Sequence, residues 1–416
     1  MSDRFEADYI LECSGDPRAL AETMAGEQSS GTFVKVPGET ADLKERSAAR
    51  VEALEILETG LPAALPGATG YTDAACSRAR LTLSWPVNNI GPDLPNLMAT
   101  IAGNLFELRG LTGLRLTDLR LPAAFSQAGP GPRFGIAGTR DLTGCEKGPL
   151  IGTIVKPSIG FTAAQTAELA GTLATAGIDF IKDDELQANG RVCPFDDRAR
   201  QVMDALNAAA DRSGKKVMYA FNLTGEIDDM RRRHDLVRDL GGTCVMVSLN
   251  SVGITGLLAL ARHTELPLHC HRNGWGYLSR APMLGWDYAP WSKIMRLAGA
   301  DHMHVNGLGN KFSEPDDSVM VSAKALQTPL FEQAPMLTMP VFSSGQTVHQ
   351  PGETYARLGN ADCIYAAGGG IMGHPDGPAA GVTSLRESWD AAMAGISAQD
   401  YAKTHPALAR ALEPRG

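Results

Sequence analysis

Gly177-Ile178-Asp179-Phe180-Ile181-Lys182-Asp183-Asp184-Glu185 joins a short apolar run to a cluster of charges. The run suits a β-strand, and side chains on a strand alternate, so Lys182 and Asp184 share one face. Glu185 follows where the strand ends and can turn back toward the same side. Two carboxylates at this spacing can hold Mg2+, a hard cation that prefers oxygen ligands. A lysine ammonium would repel that ion, whereas a lysine carbamate formed with CO2 would be an anionic ligand. For the isolated tetrapeptide, a loop with Lys182 salt-bridged to Asp184 is the commoner arrangement, so the segment alone leaves both readings open.

Outward from this segment the same pattern recurs. From about residue 120, apolar runs that end in polar residues alternate with longer stretches of helical spacing. The runs are Ile151–Pro157, Asp179–Glu185, Val217–Leu223, Cys244–Asn250, Leu266–Arg272, His302–Gly307, Pro340–Gly345 and Cys363–Gly370. Helical stretches include Thr162–Ala176, Asp197–Ala210 and Asp228–Leu240. Repeated strand–helix units need crossovers and hence a parallel sheet, and eight of them close a (β/α)8 TIM barrel. Polar residues gather at the strand ends, where such barrels carry their chemistry: Lys156, Lys182 to Glu185, Asn222, Asn250, His271-Arg272, His304, Ser343-Ser344 and Gly368-Gly369-Gly370. A doubly wound open sheet also alternates strands and helices and stays as the weaker alternative. Residues 1–120 mix strand and helix signals with proline joints at Pro62, Pro66, Pro92 and Pro95, and read as a smaller α+β, ferredoxin-like domain. The expected fold class is therefore α/β, with residues 121–416 forming the barrel.

The 416-residue chain is 44% hydrophobic and 20% charged, with a formal charge of −9. That charge argues against a nucleic-acid partner, while a local basic pocket for a small anion remains compatible with it. The opening Met1-Ser2-Asp3-Arg4-Phe5-Glu6 lacks the basic-then-apolar order of a secretory signal, and no apolar run approaches the ~20 residues of a membrane span. Seven scattered cysteines without a CxxC pair fit reduced, buried thiols, so a cytoplasmic location is expected.

Gly152-Thr-Ile-Val-Lys156-Pro-Ser-Ile-Gly160, taken with the segment through Glu185, resembles the paired signatures of the RuBisCO superfamily. Further similarities follow in order: His269-Cys-His271-Arg272, Gly299-Ala-Asp-His302-Met-His304 and Gly368-Gly-Gly-Ile-Met-Gly-His374. Glu27-Gln-Ser-Ser-Gly-Thr32 and Gly103-Asn104-Leu-Phe add the amino-terminal region. The resemblance spans nearly the whole chain. It implies the RuBisCO-type fold, with Lys182 as a carbamate and Asp184 and Glu185 as the other Mg2+ ligands. Lys156 would handle protons near an enediolate, and His271 would be an acid or base beside the metal. Arg272 and His304 would grip a substrate phosphate or terminal hydroxyl, and Ser343 would face the same substrate. Gly345, Gly368 and Gly369 would offer backbone N–H groups. Glu27, Thr32 and Asn104 would reach the site of a partner subunit, implying a homodimer with shared sites.

Several positions depart from the carboxylase pattern. Ser158 stands where carbon-fixing members carry a second lysine, and Phe33 where they carry tryptophan. Lys311 keeps the spacing of the mobile-loop lysine, but Val305 to Phe312 and Asn273 to Gly276 differ. The metal centre is intact and the substrate contacts are altered. The surviving set resembles members that act on branched phosphorylated 3-oxo acids, the 3-oxo-isoapionate-4-phosphate decarboxylases and transcarboxylase/hydrolases. An enolase or isomerase of methylthio-sugar or diketone phosphates comes second, and a ribulose-bisphosphate carboxylase third. A binding protein that has lost turnover is the non-enzymatic alternative.

Overall fold

The computed structural model describes residues 4–31, 36–65 and 74–413. Its strands in chain order are β1 (Arg4–Cys13), β2 (Arg50–Leu61), β3 (Cys76–Pro86), β4 (Leu111–Arg120), β5 (Leu150–Ile154), β6 (Phe180–Lys182), β7 (Met218–Asn222), β8 (Cys244–Ser248), β9 (Leu268–His271), β10 (Leu284–Trp286), β11 (His302–His304), β12 (Met339–Phe342) and β13 (Ile364–Ala366). The chain divides into two compact units, residues 1–129 with 274–298, and residues 130–273 with 299–416.

The first unit is built on a sheet of order β10-β4-β1-β3-β2. Alternation sets its faces: Phe5, Ala7, Tyr9 and Leu11 of β1 and Ala79, Leu81, Leu83 and Trp85 of β3 are all buried. Phe5 stacks on Trp85, and the Tyr9 hydroxyl donates to Ile101 O at 2.7 Å in the helix Leu94–Ala102. Pro95 opens that helix, where its missing N–H costs no hydrogen bond, and Asp93 caps it through Asn96 N at 2.7 Å. The segment Gly274–Ala298, read from the sequence as part of the barrel, groups with this unit instead. Its strand β10 runs parallel to β4, and Arg115 of β4 binds Asp287 and the carbonyls of Ser279, Ala281, Leu284 and Trp286.

The second unit is a closed parallel barrel of order β11-β12-β13-β5-β6-β7-β8-β9. Each of the eight apolar runs coincides with one strand, β5 and β12 starting one residue before theirs, and the three helical stretches appear as Ala163–Thr175, Phe195–Ser213 and Ile227–Asp239. Thr162 and Gln165 form a capping box at the first, and the second stops at Gly214, whose φ of 70° favours glycine. Leu150, Ile154, Phe180, Met218, Met246, Val341 and Ile364 form the barrel core.

Two buried aspartates tie the strands at their amino ends. Asp179 accepts from Ile151 N at 2.8 Å and pairs with Lys215 and Arg386 at 2.5 and 2.8 Å. Asp301 accepts from Leu268 N at 2.8 Å, Phe134 N at 2.6 Å and Gly135 N at 2.8 Å. These contacts give the amino end of the barrel its stability and leave the carboxyl end to chemistry. All seven cysteines are free thiols, and no helix among the described residues is long and apolar enough to cross a membrane.

Candidate active site

At the carboxyl end of β6 the alternation of side chains sorts the four charges. Lys182 is 0% exposed, and its Nζ donates to Asp183 O at 2.8 Å and to Glu185 Oε2 at 3.4 Å. Asp183 points to the other side, where its carboxylate accepts from Arg198 Nε at 3.1 Å, Tyr219 Oη at 2.6 Å and Asn222 N at 2.9 Å. Asn222 Nδ2 in turn donates to Asp184 O and Glu185 O, both at 3.2 Å. The turn bearing Asp184 and Glu185 is thus held from behind by Asp183, Arg198, Tyr219 and Asn222.

Lys156, from the segment after β5, reaches Asp184 Oδ2 at 2.7 Å and Ser158 Oγ at 2.8 Å. The ion pair of Lys182 with Asp184, the commoner arrangement for an isolated tetrapeptide, is not formed; Lys156 takes that place. A Cβ on Gly368 would meet Lys156 Cε at 3.6 Å, ordinary van der Waals contact, so this glycine lies directly against the lysine.

The electrostatics follow from burial. Burial pushes the Lys182 ammonium below its usual range, against the pull of Glu185 and Asp184. Burial would raise Glu185, but His271 and Lys182 hold its carboxyl down to about 2. Burial, then Lys182, lowers His271 to about 4, so its imidazole is neutral at neutral pH. His271 Nδ1 accepts from Asn273 N at 3.2 Å, which puts the ring proton on Nε2, the atom 3.5 Å from Glu185 Oε2.

Behind His271, His304 packs edge-on to it with ring centroids 4.3 Å apart. His304 Nε2 lies 2.8 Å from His269 Nε2, and His304 Nδ1 lies 3.0 Å from Ser343 Oγ. One proton serves the two Nε2 atoms. His269 Nδ1 is buried without a partner, and an orphaned acceptor costs less than an orphaned donor. The proton therefore sits on His269 Nε2, and His304 donates to Ser343 from Nδ1.

Burial keeps His269, His302 and His304 neutral along with His271, and His302 is lowered to about 3. The unfolded chain protonates histidines near pH 6.5. It therefore binds more protons than the fold from about pH 6.5 down to about 4 for His271 and about 3 for His302. Asp301, lifted by burial to about 6, opposes this by one proton. Stability is expected to be greatest above pH 6.5 and to drop by a few kcal/mol, to order of magnitude, by pH 4. Urea unfolding at stepped pH reads this directly, and a flat profile across that window would contradict it.

The remaining expected residues are placed as follows. Arg272 Nη2 donates to Glu314, a partner that sequence reasoning did not single out. Lys311 is exposed, with its Nζ 5.3 Å from the Phe312 ring centroid. Gly345 has a φ of 86°, and a Cβ on it would lie 3.8 Å from Lys311 N. A Cβ on Gly369 would meet nothing within 4 Å. In the first unit Asn104 Nδ2 donates to Glu27 Oε1 at 3.4 Å, which brings those two together. Thr32 and Phe33 lie outside the described residues. Asp183, Arg198, Tyr219, His269 and Glu314 carried no assigned role in the sequence; the polar end of strand 217–223 pointed to Asn222 alone.

Two carboxylates beside two lysine amines, one amine buried and shifted toward its neutral form, suit a divalent cation. The neutral amine is the form that reacts with CO2, and the resulting carbamate would complete an all-oxygen donor set with Asp184 and Glu185, the kind Mg2+ prefers. A separate cluster, His234, Asp235 and His263, is of metal-ligating type. There His234 Nε2 accepts from Glu265 N at 3.1 Å, so its Nδ1 carries the proton and donates to Asp235 Oδ1 at 3.0 Å. That nitrogen has no lone pair to offer an ion, and the cluster is a hydrogen-bonded staple.

Two family models match the chain: the ribulose bisphosphate carboxylase large chain N-terminal domain over residues 12–125 and the catalytic domain over residues 135–414. A 3-oxo-isoapionate-4-phosphate transcarboxylase/hydrolase of Xanthobacter autotrophicus is 60% identical over 412 residues, 99% of each chain. A 3-oxo-isoapionate-4-phosphate decarboxylase of Rhizobium etli is 44% identical over 406 residues, 97% of each. The crystal structure of a rubisco-like protein from Burkholderia fungorum superposes with a TM-score of 0.93 at 45% identity, covering 99% of each chain. Similarity that takes in both units, and not the barrel alone, makes this chain a member of the ribulose bisphosphate carboxylase large-chain family.

Proposed function

We propose that the chain is a Mg2+-dependent enzyme that breaks the bond to the carboxyl group of 3-oxo-isoapionate 4-phosphate, acting as a transcarboxylase/hydrolase. The observation that carries this reading is the buried Lys182 amine 3.4 Å from Glu185, with Lys156 on the neighbouring Asp184, in a chain 60% identical to a protein of that name. Lys182 as carbamate, Asp184 and Glu185 would hold Mg2+, which when bound acts as a Lewis acid for the negative charge growing on neighbouring substrate oxygens.

The chain's own residues do the rest. When the carboxyl carbon leaves as CO2, its bonding pair passes to the adjacent carbonyl as an enediolate. The other enediolate carbon takes that CO2 up, water adds to the carbonyl left on its neighbour, and cleavage between those two carbons gives two carboxylic acids. Lys156, whose Nζ is already aimed at this centre by Asp184 and Ser158, carries the proton that the carbanion released by that last cleavage takes up. His271 offers an N–H from Nε2 to the developing oxyanion. Open space at Gly369, beside Lys156 and Gly368, accommodates the phosphate. Glu27 and Asn104, side by side in the first unit, support a homodimer in which they complete the partner's site.

Incubation with 3-oxo-isoapionate 4-phosphate, Mg2+ and bicarbonate tests the reading by carbon-resolved analysis of the products. The expected outcome is cleavage at the carboxyl-bearing carbon with the carboxyl carbon kept in a product. Release of that carbon as CO2 would make the enzyme a decarboxylase. An isomer with its carbon skeleton unbroken would rule out both.

A further inference from the structure

Arg272 follows His271 at the end of β9, and its guanidinium fork is well shaped for a phosphate. The protein fills that fork itself. Arg272 Nη2 donates to Glu314 Oε2, the same oxygen accepts from Asn306 Nδ2 at 2.7 Å, and Oε1 accepts from Ser318 Oγ at 2.9 Å. The Arg272 and Glu314 side chains are only 8% and 14% exposed.

Glu314 is not a passing visitor from a loose loop. Asn306, in the left-handed region at φ 68°, is fixed by Ser343 N on its carbonyl at 3.1 Å and by Ser344 Oγ on its Oδ1 at 3.0 Å. Asn310 Nδ2 donates to Glu314 O at 3.0 Å, and Gly309 N donates to Asp316 Oδ1 at 2.9 Å. Gln346 Nε2 holds Leu308 O at 3.1 Å so closely that a Cβ on Gly307 would come within 2.1 Å of its side chain. Both carboxylate oxygens are used, by donors from the ends of two strands and from the helix Asp316–Gln327.

We infer that Glu314 is the resident counter-ion of Arg272 and restricts the substrate to a single phosphoryl group, with an uncharged polar end facing Arg272. A second phosphate brought to Arg272 would meet a carboxylate at hydrogen-bonding range. Displacing that carboxylate would leave it, with Asn306 and Ser318, without the pairing that burial demands. Discrimination thus comes from a repulsive element as much as from an attractive one. The inference rests on the proposed reading that a sugar phosphate is the substrate, and adds which end group the Arg272 side accepts.

Glu314→Gln tests it with inorganic phosphate as the probe, read by titration calorimetry and by thermal midpoint. The variant removes the carboxylate charge that faces the guanidinium, so it is expected to bind phosphate at least about tenfold more tightly than the wild type. Its midpoint, lowered by the loss of that ion pair, should recover as phosphate is added. The variant should also gain about tenfold for ribulose 1,5-bisphosphate over ribulose 5-phosphate, relative to the wild type. In the double variant R272Q/E314Q, which carries neither charge, the phosphate response should return to that of the wild type. Equal phosphate affinity in wild type and E314Q overturns the inference, whatever the substrate proves to be. Should E314Q fail to fold even with phosphate present, the double variant decides alone: a phosphate response at least about tenfold weaker than wild type would mean that Arg272 anchors phosphate despite Glu314. A failure of the carboxyl-cleavage assay with unchanged phosphate results would count against the proposed function and leave Glu314's role standing.

Discussion

Lys182→Met is expected to lower kcat by on the order of a thousandfold or more while leaving the barrel at least as stable as before. The two effects part because the lysine is costly to bury and valuable only for chemistry. Its amine is fully enclosed, touches Asp183 O at 2.8 Å and lies 3.4 Å from its nearest carboxylate oxygen, a long contact for a buried ion pair. Burial shifts it toward the neutral form, the only form that can attack CO2. Methionine fills a similar volume with no charge to desolvate, so the fold has nothing to lose. What it cannot supply is the third anionic oxygen. Without that oxygen, Asp184 and Glu185 face Lys156 alone, and the site is left with one negative charge fewer and one ligand fewer for a divalent ion. Thermal midpoints give a reading independent of turnover. On the proposed site, Mg2+ and bicarbonate together should raise the wild-type midpoint, as any ligand of the native state does, and should leave the variant unmoved. A variant within tenfold of wild-type kcat, or one that keeps the shift, would remove Lys182 from the centre of the mechanism.

The same segment shows why some of this was legible in the sequence and some was not. Local periodicity fixes where Phe180, Ile181 and Lys182 go, because a short buried strand must end in polar groups once it emerges from the core. That logic held for each of the eight barrel strands, and the alternation that put Lys182 and Asp184 on one face also put Asp183 on the other. What Asp183 meets there is a different matter. Arg198 lies on the helix Phe195–Ser213 and Tyr219 on β7, and only packing brings them to one carboxylate. The Glu314–Arg272 pair spans 42 residues and was hidden for the same reason. The strand β10 was missed because three residues, Leu284 to Trp286, are too few to show a period. The pairing of Lys182 with Asp184 expected of an isolated tetrapeptide fails because Lys156, 28 residues earlier in the chain, is better placed to take it.

Asp183→Ala is expected to cost the barrel about 3–5 kcal/mol, the range for removing one partner of a buried ion pair. Arg198 is fully enclosed and would keep no carboxylate partner, its remaining contacts being the carbonyls of Gln187, Ala188 and Cys193, the Cys193 thiol and the Phe195 ring. Tyr219 Oη and Asn222 N would lose their acceptor in the same stroke. The loss should reach the chemistry without any contact to substrate. Asn222 positions the Asp184 and Glu185 carbonyls at 3.2 Å, and a shift of the turn by about 1 Å can cost a hundredfold in rate. Asp183→Asn, which retains the shape and one acceptor oxygen, should lose less on both counts. A second substitution separates charge from shape. In Asp183→Ala with Arg198→Met, no guanidinium is left stranded, so stability should rise again relative to the single variant while kcat stays low, because the turn is still unsupported. Urea unfolding and steady-state rates on the same four proteins give the answer. If stability and kcat recover together in the double variant, Asp183 serves the fold alone; if Asp183→Ala unfolds within about 1 kcal/mol of wild type, the buried pair is not what holds the turn.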